Sequence, residues 1–193
     1  LGYADGRFFL PVMPGDTLNT VSKVIGIKEN SNGKTGVVWV RTTGFNQRGE
    51  TVMSFVRWVM VNKFEMDNPT PEPVLPDLPA AVPAGELTGY PDMKTWDMAL
   101  AGSPHTFGDY AVGEKINHVD GMTVEEAEHQ IATRLYQNTA KVHFDAHGQK
   151  DSRFGKRLIY GGVVISIARA LAFNGLANAG QMLAINAGSH VSP

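Results

Sequence analysis

Prolines divide this chain. Eight of its eleven prolines, at 69, 71, 73, 76, 79, 83, 91 and 104, lie between residues 64 and 104. Proline fixes φ and donates no backbone N–H, so this stretch can neither run as a helix nor supply a full strand ladder. It is also acidic, with Glu65, Asp67, Glu72, Asp77, Glu86, Asp92 and Asp97 against Lys94 alone. The expected organisation is therefore a strand-rich part at 1–63, an ordered or semi-rigid acidic linker at 64–104, and a different kind of segment at 105–193. Within the linker, "DMKTWDMALAG" (92–102) predicts a short helix with Trp96 packed down.

The first part reads as antiparallel strands. "RFFLPVMPGDT" is an extended run that ends at a Gly15-Asp16 turn, and "TLNTVSKVIGIKEN" alternates. Asn32-Gly33 is the strongest short hairpin signal, because both residues tolerate positive φ. "TGVVWVRTTGF" is β-branched and aromatic, "NQRGE" is a second turn, and "TVMSFVRWVMVNK" is a long closing strand.

From residue 105 the period changes. Thr123-Val-Glu-Glu126 has the spacing of a capping box. Val124, Ala127, Ile131 and Leu135 then fall at helical intervals, predicting an amphipathic helix over 123–137 with Asn138 at its end. A loop is expected over 139–158. "GGVVISIARALAFNGLANAG" (161–180) is apolar nearly all round, which predicts a helix buried on most faces and housed by a sheet. "ADGRFFLP" and "NAGSHVSP" form a faint repeat, aligning Gly6 with Gly188 and Pro11 with Pro193.

Composition narrows the chemistry. With 193 residues and 42% hydrophobic content there is material for one ordinary core or two small ones. There is no cysteine, hence no disulfide, thiol nucleophile or thiolate metal site. No run of eighteen apolar residues predicts a membrane span. No secretory signal pattern stands at the start, so a cytoplasmic setting is the expectation. Outside the linker the charge balance is modestly positive. That suits an anionic ligand and lacks the concentrated basic face that nucleic acid wants.

Two constellations could carry chemistry. His143, Asp145 and His147 have metal-ligand side chains, but Gly148 follows at once and no second cluster exists, so no metal is expected. The other pair is Asn138 and His143. An amide at a helix end and a histidine five residues on can grip one water between them. Gly161-Gly162 open a helix nearby, and its N-terminal amides carry about half a unit of positive charge, suited to polarising a thioester carbonyl.

The longer motifs are more specific. "FGDYAVGEK" (107–115), the segment from Thr123, Asn138-x4-His143 and "FGKRLIYGGVVIS" (154–166) resemble the successive landmarks of the MaoC-like dehydratases. The resemblance covers essentially the whole chain. It implies an α+β hot-dog fold, a long central helix wrapped by an antiparallel sheet, and here parts of two such units. Residues 1–63 would be the strand-rich C-terminal half of a first unit, and 105–193 the N-terminal half of a second, with its central helix. It implies further that the chain, which starts at Leu1, is an internal piece of a longer enzyme. The implied reaction is reversible hydration of an enoyl-CoA thioester, with mesaconyl-CoA (2-methylfumaryl-CoA) expected as substrate and β-methylmalyl-CoA as product. The alternatives are another acyl-CoA enzyme of the fold, such as a thioesterase or a different hydratase, or an inactive truncated segment. No cofactor is expected, since coenzyme A is part of the substrate, and the expected partner is a second copy of the chain.

The resemblance also distributes roles. His143 is the expected general acid/base. Asn138 stands where related hydratases carry Asp. An amide cannot take the proton, so it either orients the water or simply caps the helix. Gly162 would give its N–H to the thioester oxygen, or serve close packing. Tyr160 and Gly161 would shape the acyl pocket, with a half-buried aromatic as the plainer reading of Tyr160. Arg153, Lys156 and Arg157 would hold the coenzyme A phosphates, unless they are a solvated loop. Ser166 reads as a buried serine bonding back to a carbonyl. Asp145 and His147 carry no assigned role.

Overall fold

A computed structural model describes residues 2–88, 92–179 and 181–189. Its contacts divide into two compact units. One gathers 2–88 and 92 with 181–189; the other is 93–179. Pro91 of the linker, and Pro193 of the repeat, lie outside the described residues.

The first unit is a five-stranded antiparallel sheet in the order β2-β3-β4-β1-β5. Its strands are β1 (Gly2–Phe8), β2 (Asn19–Glu29), β3 (Thr35–Phe45), β4 (Thr51–Asn62) and β5 (Ala184–Ser189). Both anticipated hairpin turns form, and each is held by an asparagine. The Asn32 Oδ1 accepts the backbone N–H groups of Lys34 (2.9 Å) and Thr35 (3.1 Å), with Gly33 at φ 65°. The Asn46 Oδ1 accepts those of Arg48 (2.9 Å) and Glu50 (3.1 Å), with Gly49 at φ 77°. Asparagine binds its own backbone in this way, so the register of β2-β3-β4 is set locally. The β3–β4 ladder then runs from Thr35 opposite Asn62 to Phe45 opposite Thr51.

The interior of this unit is small. Ala4, Val52, Val56 and Val82 are its buried apolar side chains, with Val56 fully enclosed. Beside them sits a charge cluster. Asp5 is only 3% exposed and occupies the β1 irregularity with φ 48°. Its carboxylate accepts from Arg7 Nε and Arg41 Nη2, each at 2.8 Å, and Arg7 also meets Glu86. Burial pushes the Asp5 pKa up, but the two guanidinium groups outweigh it and hold it below the ordinary carboxylate value. The proline-rich stretch touches the sheet where it still has a donor. Val74, between Pro73 and Pro76, exchanges two 2.9 Å hydrogen bonds with Ile27 of β2. β5 pairs antiparallel with β1, Gly2 opposite Ser189 and Gly6 opposite Ile185, so the strands that carry Gly6 and Gly188 lie side by side.

The second unit is helical: α1 (Met98–Ala101), α2 (Glu126–Leu135), α3 (Lys141–Phe144), α4 (Gly161–Leu171) and α5 (Phe173–Leu176), with short 3-10 turns between. The predicted 92–102 helix shrinks to α1, capped by Asp97 and ended by Gly102 at φ 77°. Trp96 is 41% exposed, and its indole donates to Asn178 Oδ1 at 3.0 Å.

Three expectations are corrected here. The capping box at Thr123 does not form: α2 starts at Glu126 with Glu125 as an N-cap lacking a side-chain bond. A capping box forms instead at Thr106 and Asp109, on a single turn with no apolar run behind it. The apolar stripe of α2 is not its packed face. Ile131 and Leu135 are 59% and 71% exposed, while His129 and Thr133 are buried at 2% each. The long helix of 161–180 breaks after Leu171, and neither α4 nor α5 has a buried residue, with Val164 and Ile165 about half exposed. Among the described residues its unit contains no strand to wrap it, and part of its apolar surface stays exposed.

Candidate active site

α2 ends in a Schellman motif. The Gln137 N–H returns to Arg134 O (3.2 Å) and the Asn138 N–H to Thr133 O (2.9 Å), with Gln137 at φ 50°. Asn138 is therefore the residue after the left-handed position, not the cap itself. Its side-chain oxygen accepts the Ala140 N–H at 3.1 Å, which turns the chain into α3.

His143 lies in α3, not in an open loop. Its Nδ1 is 3.0 Å from Leu158 O. A carbonyl only accepts, so Nδ1 carries the proton and a neutral His143 presents an unprotonated Nε2. The Leu158 N–H in turn donates to Val142 O at 3.0 Å, lashing α3 to the chain that enters α4.

That chain is also tied to α2. The Tyr160 N–H donates to His129 Nε2 at 3.0 Å. The Thr133 hydroxyl lies 3.2 Å from the same nitrogen and 2.8 Å from His129 O. His129 and His143 stand edge to face with centroids 6.2 Å apart, and the Tyr160 ring is 6.0 Å from His143. Burial first, then the neighbouring His143 and Arg157, lower the His129 pKa, with Glu126 opposing. His129 was not among the residues singled out from sequence. The available signal was its i, i+4 spacing to Thr133 on the face away from the apolar stripe.

Tyr160 is the N-cap of α4 and makes no side-chain cap bond. Its ring folds back over Gly162, where a Cβ would collide with the ring and hydroxyl. The glycine is thus needed for the close approach of this tyrosine. The first intrahelical bond at this end is Val163 N–H to Tyr160 O, 2.9 Å, so the Gly161 and Gly162 amides precede the hydrogen-bonded ladder.

The three cations part ways. Arg157 reaches α2, meeting Gln130 and pairing with Glu126 at 3.3 Å. Arg153 lies over the Phe154 ring, 4.4 Å from its centroid. Lys156 is exposed. Ser166 is exposed as well, which removes its reading as a buried back-bonding serine. Asp145 turns inward on its own loop, accepting the Gly148 N–H at 2.8 Å. No metal-holding group of three or more His, Asp or Glu side chains forms among the described residues.

The FAS1-like, dehydratase domain region family model matches residues 3–55. Mesaconyl-CoA hydratase of Cereibacter sphaeroides is 61% identical over 196 residues, an alignment covering all of this chain and 56% of that protein. The crystal structure of a protein described as a MaoC domain protein dehydratase from Chloroflexus aurantiacus superposes with TM-score 0.95 at 56% identity. It too is matched along the whole of this chain and 56% of its own. Over its whole length this chain is similar to these MaoC-like dehydratases. A Mycobacterium tuberculosis protein with a double hot-dog fold matches 92% of the MaoC-like chain and 53% of its own, with TM-score 0.59 and 25% identity. The architecture is accordingly α+β and of the hot-dog type. The MaoC-like chain spans about half the length of the curated relatives it matches.

Proposed function

We propose that the MaoC-like chain carries the acid/base half of a hydro-lyase that adds water reversibly to mesaconyl-CoA, giving β-methylmalyl-CoA. The observation that carries this reading is the tautomer of His143: Nδ1 is committed to Leu158 O, leaving Nε2 as the available base on a ring 6.0 Å from that of Tyr160, the N-cap of α4. In the forward direction Nε2 takes a proton from water as its oxygen bonds to the β-carbon. The double-bond electrons move onto the thioester carbonyl, and the enolate oxygen is met by the Gly162 amide at the positive end of α4. The imidazolium then returns a proton to the α-carbon, so the atoms of one water are added and His143 is regenerated.

Asn138 supplies an amide where related hydratases carry Asp. It orients the water and takes no proton. Gly161 and Tyr160 form the wall at the helix start. Lys156 and Arg153 are the cations proposed for the coenzyme A phosphates; Arg157 is engaged with α2. Residues 1–63 and 105–193 are proposed as halves of two hot-dog units joined by 64–104, and the assembly as a homo-oligomer.

The test is to follow loss of the enoyl-thioester absorbance of mesaconyl-CoA with the intact natural protein, wild type and His143→Ala. Loss of about 10²–10⁴-fold in kcat is expected for the variant. An unchanged rate in the variant would sink the assignment. Free thiol release without hydration would replace the reading by a thioesterase.

A further inference from the structure

Two histidines grip the segment that leads into α4, from two different helices. His143 of α3 holds Leu158 by its carbonyl, and His129 of α2 holds Tyr160 by its amide. The two bonds have opposite polarity, and this fixes the protonation of both rings. A carbonyl needs a donor, so His143 Nδ1 is protonated. An N–H needs an acceptor, so His129 Nε2 is bare and its proton sits on Nδ1. Nε2 has one lone pair. The Thr133 hydroxyl satisfies itself at 2.8 Å on the His129 carbonyl, leaving that lone pair to Tyr160.

We infer that His129 is a positioning residue of the proposed site: a buried, neutral imidazole that pins the Tyr160 amide and so sets the start of α4 against His143. Tyr160 is the N-cap of α4, and its ring is locked over Gly162. A shift of its backbone therefore moves the Gly162 amide and the wall facing His143 together. Neutrality is part of the function. Protonation at Nε2 would turn the acceptor into a donor aimed at another donor. It would also place a cation edge-on to His143 at 6.2 Å and near Arg157, with Glu126 the acidic neighbour on its own helix. The ring is 2% exposed, so solvent offers little relief. Burial and the two neighbours hold it in the neutral form that the geometry demands.

This inference rests on the hydratase reading for its catalytic consequence, but its physical core is testable without turnover. Long-range nitrogen-15 correlations of the imidazoles in the 193-residue chain should show His129 as the Nδ1–H tautomer. It should stay neutral at a pH where an ordinary histidine is half charged. Exchange of the Tyr160 amide should remain slow in wild type and in His129→Gln, whose side-chain oxygen also accepts. It should speed up at least about tenfold in His129→Leu, in line with loss of the bond. An Nε2–H tautomer, an ordinary titration, or equal Tyr160 protection in the leucine variant overturns the inference. If the leucine variant does not fold, the tautomer and titration in wild type decide. In the intact natural protein, His129→Leu should lower kcat about 10²-fold with KM little moved, as misplacement of catalytic groups does. His129→Gln should recover most of that loss, with an acid limb that no longer contains the His129 ionisation. Full kcat and an unchanged pH profile in the leucine variant would also overturn it. Absence of hydration in wild type removes the hydratase reading alone, and the spectroscopic arm still judges the histidine.

Discussion

The two units are stabilised by different means. The sheet unit encloses a cluster of apolar side chains, Ala4, Val52, Val56 and Val82, beside the buried polar Thr42, Asn46 and Ser54 and one strained and charged residue, Asp5. The helical unit encloses polar groups: His129, Thr133 and Ser103 are buried, with Ala177 as its buried apolar side chain. Apolar contacts are non-directional and tolerate small shifts, whereas a hydrogen-bonded imidazole fixes a distance and an orientation. The sheet unit is therefore built as a scaffold. The helical unit is built to hold a few backbone groups in place, and it carries the candidate site.

The largest effect should come from breaking the charged exception in the sheet. Asp5→Ala strips a buried carboxylate from Arg7 and Arg41 and leaves a non-glycine residue at φ 48°. A loss of about 3–5 kcal/mol is expected in urea unfolding of the sheet signals, with the helical unit's signals reporting whether the damage is confined. A loss below about 1 kcal/mol would mean the cluster is incidental.

Acid should separate the units next. His129 has a lowered folded-state pKa, so between that value and the ordinary 6.5 the unfolded chain binds the extra proton. Stability of the helical unit is therefore present above about pH 6.5 and declines as pH falls through that window. The Asp5 pKa is also lowered, but from 3.8, so its contribution is present above that value and is lost only as pH drops below it. Amide spectra recorded from pH 7 to 3 should show the 126–160 resonances perturbed first and the β1 and β3 resonances only near the acid end. The reverse order would refute the contrast.

The smallest effect sharpens the comparison. Asn32→Ala removes the acceptor for two backbone N–H groups in an exposed turn, where water partly substitutes. About 0.5–1 kcal/mol is expected by thermal unfolding, with the β2–β3 register unchanged.

The same contrast explains what could be read from sequence. The β2-β3-β4 meander was legible because its information is local: Asn32-Gly33 and Asn46 through Gly49 specify their own turns. The Gly161-Gly162 start of α4 was legible from the apolar run that the two glycines open. The packed face of α2 was not, because helical periodicity selects Ile131 and Leu135, whereas His129 is buried by a partner 31 residues away. Nothing in a hydropathy pattern announces that an imidazole will meet a distant amide. Arg157 was misplaced for the same reason: its company is Gln130 and Glu126 on α2, not the neighbouring basic loop residues. The repeat linking Gly6 and Gly188 was faint in sequence, yet it marks strands that end up hydrogen-bonded.

That last pairing has a kinetic side. β1 is flanked by β4 on one edge and by β5 on the other, and β5 begins at Ala184. At translation rates of about 5–20 residues per second, the outer edge of β1 waits roughly 10–40 s for its partner to emerge. During that interval a short strand with an open edge is exposed to any extended peptide nearby. The sheet's last ladder is thus its slowest to close and the point at which a nascent chain is most open to mispairing.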